Sequence, residues 1–368
     1  MSIETPVFKE EDYDSFCCLM QKCPDNCCHG WGVPLDDDAL KRFRAEKGLF
    51  GLKLRLTIHG KEQKIFSPLS LSCPHLRPDG LCGLQKKKGE AFIAEVCRIY
   101  PRVMINYGPR AEFLLDLSCI HAASLFLSRG NTLLIPGKEE ELPEQYGNND
   151  EEAYFEKLLS SREEMSCRLR DTKGDAEGLD SLLRILLAGS RKLQDGLLKG
   201  GGEEEWALFG AKPCAKRLFP LPIADLNEMM STCFYEEWLK YSLPFLYRIC
   251  RLYYRRFDRL SYEKGERELM RLFEKHVAGK EELVSLFTEH IISVLLRRYL
   301  MSYEDYSPFR HVKEALLACN LFLLFYMLWS EKYGPPIPLT MAHILSVTEK
   351  RMFHNEYALK DLLAAVKL

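Results

Sequence analysis

The sequence lacks the common signatures of nucleotide and zinc sites. It has no GxGxxG loop between a strand and a helix, and predicted strands and helices do not alternate along it. This disfavours a Rossmann-type cofactor site. It also has no CxxC pair, the usual zinc knuckle, and no CxxxCxxC run of the kind found in radical enzymes. Any metal or cofactor chemistry must therefore use another arrangement of ligands.

An excess of charge of one sign is also missing. The chain has 51 lysines and arginines against 53 aspartates and glutamates, a formal net charge of −2. Nucleic-acid binding is therefore not expected, because the polyanionic backbone selects strongly basic surfaces.

Targeting and membrane-spanning patterns are missing too. The start of the chain has no basic stretch followed by an apolar run, so we expect no secretory signal and a cytoplasmic, reducing environment. The most apolar run, Ala315–Trp329, has fifteen residues and includes Asn320, whereas a membrane span needs about twenty. We predict a buried core helix and no transmembrane segment, and peripheral membrane association stays an open alternative.

Cysteine, in contrast, is abundant and unevenly placed. Nine of the fourteen cysteines lie between Cys17 and Cys119, and five of them fall within Phe16–Trp31. In a reducing compartment this density indicates metal binding or catalysis rather than disulfides. The other five are scattered singly and are predicted to be small buried apolar side chains: Cys167, Cys214, Cys233, Cys250 and Cys319.

The spacing of the clustered cysteines favours an iron–sulfur cluster over zinc. They form three sets: Cys18-x4-Cys23-x3-Cys27-Cys28, then Cys73-x8-Cys82-x14-Cys97, and then Cys119. Thiolates bind soft or borderline metals, and an adjacent pair with a spacing of three suits a loop that wraps a cuboidal cluster. Zinc and a purely structural cysteine cluster stay as alternatives. His29 is either a ligand, a hydrogen-bond donor to a ligand, or a solvated loop residue.

The hydrophobic pattern predicts a mainly α protein in two parts. Residues 1–130 are predicted to form an irregular cysteine-rich metal-binding module with two small β-hairpins. Residues 131–150, with two prolines and an acidic run, are predicted to be a linker, and residues 151–368 an α-helical domain. The small module would be stabilised by its metal more than by an apolar core.

Local signals place the elements. The alternation from Leu52 to Ile58, a turn at His59–Gly60 and a return at Lys64–Phe66 predict the first hairpin, and residues 103–107 and 111–117 the second. Predicted helix signals are the N-caps Asp36, for a helix to about Lys47, and Ser118, for one from Cys119 to near Gly130. A helix carrying Cys97 must stop before Pro101, and Pro244 must start or kink its helix.

Helical periodicity dominates the rest of the chain, interrupted by a flexible break at Lys199–Glu205. The predicted helices are 151–170, 179–199, 223–231, 234–257, 262–277, 280–301, 308–331, 339–352 and 355–367.

The cysteine sets and their neighbours resemble the flagellin lysine N-methylase family. The three matching blocks cover residues 16 to about 125, in the family's order. The first is F-x-C-x4-C-x3-CC-x-GW, from Phe16 to Trp31; the second runs from Cys73 through Asp79-Gly80-Leu81-Cys82, Gly89-Glu90 and Cys97 to Tyr100-Pro101-Arg102; the third is Leu117-Ser118-Cys119 with Ala122-Ala123. The helical remainder is similar in character only.

The resemblance implies an S-adenosylmethionine-dependent enzyme that methylates the ε-amine of lysines on flagellin or on another protein, with a [4Fe–4S] cluster. The metal ligands implied by matching position are Cys18, Cys23, Cys27, Cys28, Cys73, Cys82, Cys97 and Cys119. Cys17 lies outside the pattern. The alternative is a non-catalytic module in which the cysteines hold zinc or iron.

Three residues beside the cysteines are candidate cofactor contacts. Trp31 and Tyr100 either stack on the adenine of S-adenosylmethionine or shield the metal from water, and Arg102 either clamps a ligand carboxylate or bonds within the fold. The cofactor would bind against the cluster or between the two parts of the chain. No residue is identified as the base that deprotonates the lysine.

A basic segment lies in the helical part. Arg248, Arg251, Arg255, Arg256 and Arg259 alternate with aromatic residues and are expected to spread over more than one helix face. A solvated or ion-paired surface is the expectation, and docking of an acidic protein substrate is the alternative.

Overall fold

The computed structural model describes residues 5–29, 32–60, 63–65, 72–138, 152–199, 206–234 and 239–368. The predicted fold class, mainly α, is confirmed. The strands are β1 (Val7–Glu10), β2 (Val33–Pro34), β3 (Ile58–His59), β4 (Lys64–Ile65), β5 (Arg102–Asn106), β6 (Ala111–Leu115) and β7 (Leu134–Pro136).

The helices concentrate after residue 150, as the periodicity predicts. They are α1 (Asp37–Ala45), α2 (Gly48–Leu56), α3 (Gly83–Lys88), α4 (Glu95–Ile99), α5 (Ile120–Arg129), α6 (Glu152–Arg170), α7 (Ala176–Leu197), α8 (Ile223–Phe234), α9 (Leu239–Ser242), α10 (Pro244–Phe257), α11 (Tyr262–His276), α12 (Glu281–Arg298), α13 (Ser302–Asp305), α14 (Pro308–Tyr333), α15 (Pro338–Phe353) and α16 (Glu356–Ala365). Most predicted boundaries agree to within a few residues. The helix predicted over 234–257 is wrong at its start: Pro244 begins α10, and the separate short helix α9 precedes it. The predicted break at Lys199–Glu205 lies, from residue 200 on, outside the described residues.

The larger sheet confirms the second predicted hairpin. Its strand order is β5-β6-β1-β7, with β6 antiparallel to β5 and parallel to β1. Gly108 makes the turn with φ +90°, a conformation that glycine adopts without strain. The strand β7 occupies the start of the predicted linker and pairs with β1. Its partner is more than a hundred residues away, so no local pattern announces it. The rest of the predicted linker, from residue 139, lies outside the described residues.

The smaller sheet corrects the first predicted hairpin. Residues 48–56 form the helix α2, and the hairpin is reduced to the short strands β3 and β4. The strand β2 pairs with the other edge of β4, so the sheet order is β2-β4-β3. A short run of leucines at alternate positions fits both the alternation of a strand and the periodicity of a helix. Packing decides the outcome here, because Leu54 is buried in a small core with Phe43 whereas Leu52 is exposed.

The capping predictions are confirmed at three of four positions. Asp36 accepts a hydrogen bond from the Ala39 amide at the start of α1, Gly130 ends α5 in the left-handed region, and Pro244 is the first residue of α10. The prediction for Ser118 is wrong: Cys119 is the N-cap of α5, without a side-chain cap. The Ser118 hydroxyl is instead bonded to two other side chains, described below.

The helix α14 is the centre of the largest core and confirms the predicted buried helix. It is long and apolar enough to cross a membrane, but 94% of its most apolar window is buried inside the protein. Asn320 is the polar exception and is fully bonded: its amide donates to the Leu218 carbonyl and its oxygen accepts from the Leu221 amide. A buried amide of this kind is stable only when its partners are present.

A buried ion pair connects the larger sheet to the helical part. Glu112 on β6 accepts hydrogen bonds from Arg162 on α6 at 2.6 and 2.8 Å and from Arg110 at 2.7 Å. Burial alone would raise the pKa of Glu112, but the two guanidinium groups lower it, so the carboxylate stays ionised. Removing one partner of such a pair leaves an uncompensated buried charge.

We expect Arg162→Met to lower the free energy of unfolding by about 3–5 kcal/mol, because Glu112 is left without its main partner. Urea denaturation monitored by circular dichroism measures the change. Arg168→Met on the same helix is the control, since the Arg168–Glu164 pair is solvent-exposed and is worth less than about 1 kcal/mol. Equal effects of the two substitutions would show that the Glu112 pair does not connect the sheet to α6.

Candidate metal centre

The first cysteine segment, residues 17–29, is fixed at its start by Arg102. The guanidinium of this residue donates to the backbone carbonyls of Tyr13 at 3.2 Å and of Phe16 at 2.8 Å. Phe16 itself is buried in the main core. Arg102 therefore positions the chain immediately before Cys17, and its predicted contact with a cofactor stays a prediction.

Hydrogen bonds join the second cysteine segment, residues 72–82, to the first. The Cys73 amide donates to the Cys28 carbonyl at 2.8 Å, His29 Nδ1 lies 2.7 Å from Ser72 Oγ, and the Asn26 side chain donates to the Gly80 carbonyl at 2.8 Å. His29 is thus a half-buried, hydrogen-bonded residue, and burial lowers its pKa. These bonds bring together loops that are more than forty residues apart in sequence.

Two further cysteines lie at helix starts. Cys82 is the N-cap of α3, where its sulfur accepts from the Gln85 amide at 3.5 Å, and Cys119 is the N-cap of α5. Cys97 lies within α4, the short helix that ends before Pro101 as predicted. Backbone amides at these helix starts lower the thiol pKa, but burial outweighs them: it raises the pKa of Cys82 and raises that of Cys119 to about 12.

The predicted ligands interact with one another, and Cys27 is common to most of the interactions. The Cys28 thiol is hydrogen-bonded to both Cys27 and Cys73. The charge of Cys27 also acts on Cys23, Cys73, Cys82, Cys97 and Cys119, and Cys18 acts on Cys23. All eight have free thiols. Thiols from three separated sequence blocks therefore face one region.

Hydrogen bonding gives these thiols different pKa values. Because Cys28 donates to both neighbours, its pKa is raised, while the pKa values of Cys27 and Cys73 are lowered by the bonds they accept. Thiolates rather than thiols are the metal-binding form. Cys18, Cys27 and Cys97 are exposed and the remaining five are half-buried, so the region is open to solvent.

Within the described part of the chain, no three histidine, cysteine, aspartate or glutamate side chains are placed to hold a single metal ion. The thiols converge without closing on one point. Gly30 and Trp31, which follow the first set, lie outside the described residues, as does any contact of Trp31 with a cofactor.

The scattered cysteines give a mixed result. Cys250 and Cys319 are buried as predicted, but Cys214 is half-buried and Cys167 is exposed, so the prediction is wrong for those two. Cys167 is at a solvent-facing position of α6, where a free thiol is tolerated without packing. The side chain of Cys233 lies outside the described residues.

Lys350 is the main residue that sequence reasoning missed. It comes from α15, and its ammonium donates to the Asp25 carboxylate at 2.8 Å and to the Asn26 carbonyl at 3.3 Å. The Lys350 side chain is only 2% exposed. Its positive charge also lowers the pKa of Cys27, after the larger effect of the bond from Cys28. A lysine near the end of a helix gives no sequence signal for such a role, because it is ordinarily solvated.

A polar network borders the thiols on the side of Cys119. The Tyr100 hydroxyl lies 2.9 Å from Ser118 Oγ, and His354 Nε2 lies 2.9 Å from both Ser118 Oγ and Asp116 Oδ2. Burial alone would raise the pKa of Asp116, but His354 and Arg297 hold it well below its usual range. Burial raises the pKa of Tyr100 well above its usual range, so this hydroxyl stays protonated.

Comparison with known proteins relates the chain to a flagellar biosynthetic protein and to lysine N-methylases. Over 134 residues, 34% of the chain, it is 29% identical to the Flagellar biosynthetic protein FliU of Salmonella muenchen and covers 78% of that protein. Over 132 residues it is 29% identical to the Lysine-N-methylase of Salmonella typhimurium and to that of Salmonella choleraesuis. No family model matches the chain, and no solved structure matches it.

The chain is related to the lysine N-methylases over about a third of its length. It likewise spans 33% of the length of the two curated Lysine-N-methylases that it matches. The relationship predicted from the cysteine blocks is thereby confirmed.

We expect Lys350→Met to release the first cysteine segment, because Asp25 loses the cation that compensates its buried charge. The predicted loss is about 2–4 kcal/mol in the free energy of unfolding, with faster hydrogen exchange in peptides that span residues 17–29. Lys360→Met, at an exposed position of α16, is the control and should change neither. Unchanged exchange in Lys350→Met would show that this lysine does not position the segment.

Proposed function

We propose that this protein is an S-adenosylmethionine-dependent protein-lysine N-methyltransferase of flagellin-type substrates that works with a cysteine-bound [4Fe–4S] cluster. The observation that carries the proposal is the convergence on Cys27 of thiols from three sequence blocks, in a chain related to lysine N-methylases. The candidate ligands are the eight cysteines named above. One [4Fe–4S] cluster takes at most four of them, so the others would serve a second metal or be structural. The proposed compartment is the cytoplasm.

The arrangement of the thiols supports a cluster over one zinc ion. Structural zinc is held by four ligands that lie close together around one point, and no such group is present among the described residues. A polynuclear cluster spaces its cysteines more widely, because each thiolate binds a different iron. The thiols that interact with Cys27 come from three sequence blocks, which supports a group with several metal atoms.

Methyl transfer to lysine sets two requirements on the chain. The ε-amine must lose a proton before its nitrogen attacks the methyl carbon, while the carbon–sulfur bond of the cofactor breaks and S-adenosylhomocysteine leaves. A cluster iron with a free coordination position would bind the amino and carboxylate groups of S-adenosylmethionine. The protein must also leave an opening for a lysine side chain, and the exposed thiols of Cys18, Cys27 and Cys97 lie at such an opening.

Trp31, Tyr100 and Arg102 stay the proposed contacts of the cofactor. The Tyr100 hydroxyl is bonded to Ser118, and Arg102 donates to two backbone carbonyls. Both residues therefore have fixed orientations before any ligand arrives. What Tyr100 offers to a cofactor is its ring, not its hydroxyl.

A non-catalytic zinc- or iron-binding protein is the second candidate. The observation in its favour is the small size of the core beneath the cysteine loops, which contains six buried apolar side chains: Val33, Phe43, Leu54, Ile65, Leu84 and Ile93. So small a core contributes little stability by itself, and a metal would supply the rest.

Protein purified without air should be brown, with charge-transfer absorption and about four irons per chain. Cys27→Ala should lose most of this absorption and iron, because Cys27 contacts or acts on most of the other thiols. Cys214→Ala, a half-buried cysteine outside the group, should retain both. Colourless protein with stoichiometric zinc would favour the non-catalytic candidate, and a fully coloured Cys27→Ala variant would contradict the assigned ligands.

Flagellin from cells that carry the gene should contain methyl-lysine, and flagellin from cells without it should not. Mass spectrometry of tryptic peptides measures the difference. Complementation with Cys27→Ala should fail to restore the modification, while Cys214→Ala should restore it. Identical methylation in all four strains would rule flagellin out as the substrate.

A further inference from the structure

A stripe of arginines follows the exposed side of α10. Arg248, Arg251 and Arg255 lie at positions i, i+3 and i+7, which share one face of a helix, and all three are exposed. The opposite side of α10 is buried through residues such as Ile249 and Tyr253. The expectation that the arginines spread over more than one face is confirmed by Arg256, which is turned toward Glu268. Arg259 lies beyond the end of α10.

A basic pocket of about 680 Å³ lies at the end of this stripe, between α10, α11 and α14. Its floor is formed by leucine side chains, and Glu268 is the single carboxylate in its lining. Six cationic side chains line it: Arg255, Arg256, Lys264, Arg267, Arg271 and Lys332.

The carboxylates near the pocket are already paired. Glu268 and Glu331 are both bonded to Arg256 and Arg271. No ion pair with a described carboxylate forms at the remaining four cations of the lining, which are all exposed: Arg255, Lys264, Arg267 and Lys332. In a chain with a net charge of −2, these four cations form a strong local excess of positive charge.

The other end of the stripe lies beside the cysteine region. Phe245, one turn before Arg248, stacks on His343 of α15 with ring centroids 3.8 Å apart. Arg248 and Asp25 both act electrostatically on that histidine, and Asp25 is in the first cysteine segment. The rise of an α-helix places Arg255 about 10 Å along α10 from Arg248. The stripe therefore leads from the surroundings of Asp25, in the first cysteine segment, to the pocket.

We propose that the stripe of Arg248, Arg251 and Arg255, together with the basic pocket, binds an acidic segment of the protein substrate. This inference rests on the proposed function and adds the class of sequence that such a substrate must carry. An extended peptide advances about 3.3 Å per residue, so three or four residues span the stripe and a few more reach into the pocket. The segment would hold a nearby lysine of the same substrate beside the thiols.

An extended polycarboxylate fits this surface better than nucleic acid does. The cations lie in one row with a terminal pocket, and the rest of the surface supplies no excess of positive charge. Nucleic-acid binding depends on neutralising many phosphates along a continuous basic face. Arginine also pairs with carboxylates in a bidentate manner, which suits aspartate and glutamate side chains.

A fluorescein-labelled peptide of eight glutamates tests the site by fluorescence anisotropy at low ionic strength. Arg255→Glu combined with Arg267→Glu should weaken binding by at least about tenfold, because two attractive charges become repulsive. Neither arginine has an ion pair among the described residues, so the double variant should fold. Lys212→Glu with Lys360→Glu makes the same charge change at exposed positions outside the stripe and pocket, and should weaken binding by less than about threefold.

Two outcomes would overturn the proposal: equal weakening by both double variants, or tighter binding of a single-stranded oligonucleotide of the same charge.

A methylation assay separates this result from the proposed function. A lysine peptide with a glutamate-rich flank should be methylated faster than its glutamine counterpart by wild type, and equally by Arg255→Glu/Arg267→Glu. If no peptide is methylated while glutamate binding still depends on the arginines, the acidic-peptide site stands and the methyltransferase proposal fails.

Discussion

The position of the first cysteine segment depends on the contact of Lys350 with Asp25 and Asn26. Phe16 is buried just before this segment, but the residues that follow as far as His29 are exposed or half-buried, so the hydrophobic effect contributes little to their placement. Polar bonds replace it. Lys350 is nearly inaccessible to solvent, and a buried ammonium is stable only beside compensating negative charge. The Asp25 carboxylate provides that charge, and the neighbouring thiolates gain from the same cation.

The helical part is therefore a support for the cysteine region. The helix α14 fixes the core, α15 packs against both α14 and α5, and the end of α15 brings Lys350 and His354 to the loops. Cys119 starts α5. The helix α15 thus packs against α5, which begins after the candidate ligand Cys119, and presents Lys350 to Asp25 in the first cysteine segment.

How far the sequence predicts the structure depends on the range of the interactions. The helices after residue 150 are predicted well, because periodicity, caps and prolines act within a few residues. The density of cysteines also predicts a metal-binding region, and both its metal and its ligands stay predictions. The helix α2 and the strand β7 are not predicted, since distant packing decides both. Lys350, His354 and Asp116 are missed for a related reason: they are common surface residue types whose partners lie far away or in loops.

The cysteine region and the basic surface differ in charge, so they would favour different parts of the proposed substrate. Thiolates and Asp25 make the first region favourable for a cation such as a lysine ammonium, whereas the arginine stripe favours anions. At physiological ionic strength the screening length is about 8 Å. Arg255 and the basic pocket lie about 10 Å along α10 from Arg248, so this end of the basic surface acts largely independently of the cysteine region. A peptide with a lysine and acidic residues a short distance away satisfies both at once. A peptide with either feature alone satisfies one, and a uniformly basic segment is repelled by the stripe. Under the proposed function, selection among protein lysines would follow from the spacing of charges on the two surfaces, without a deep side-chain pocket.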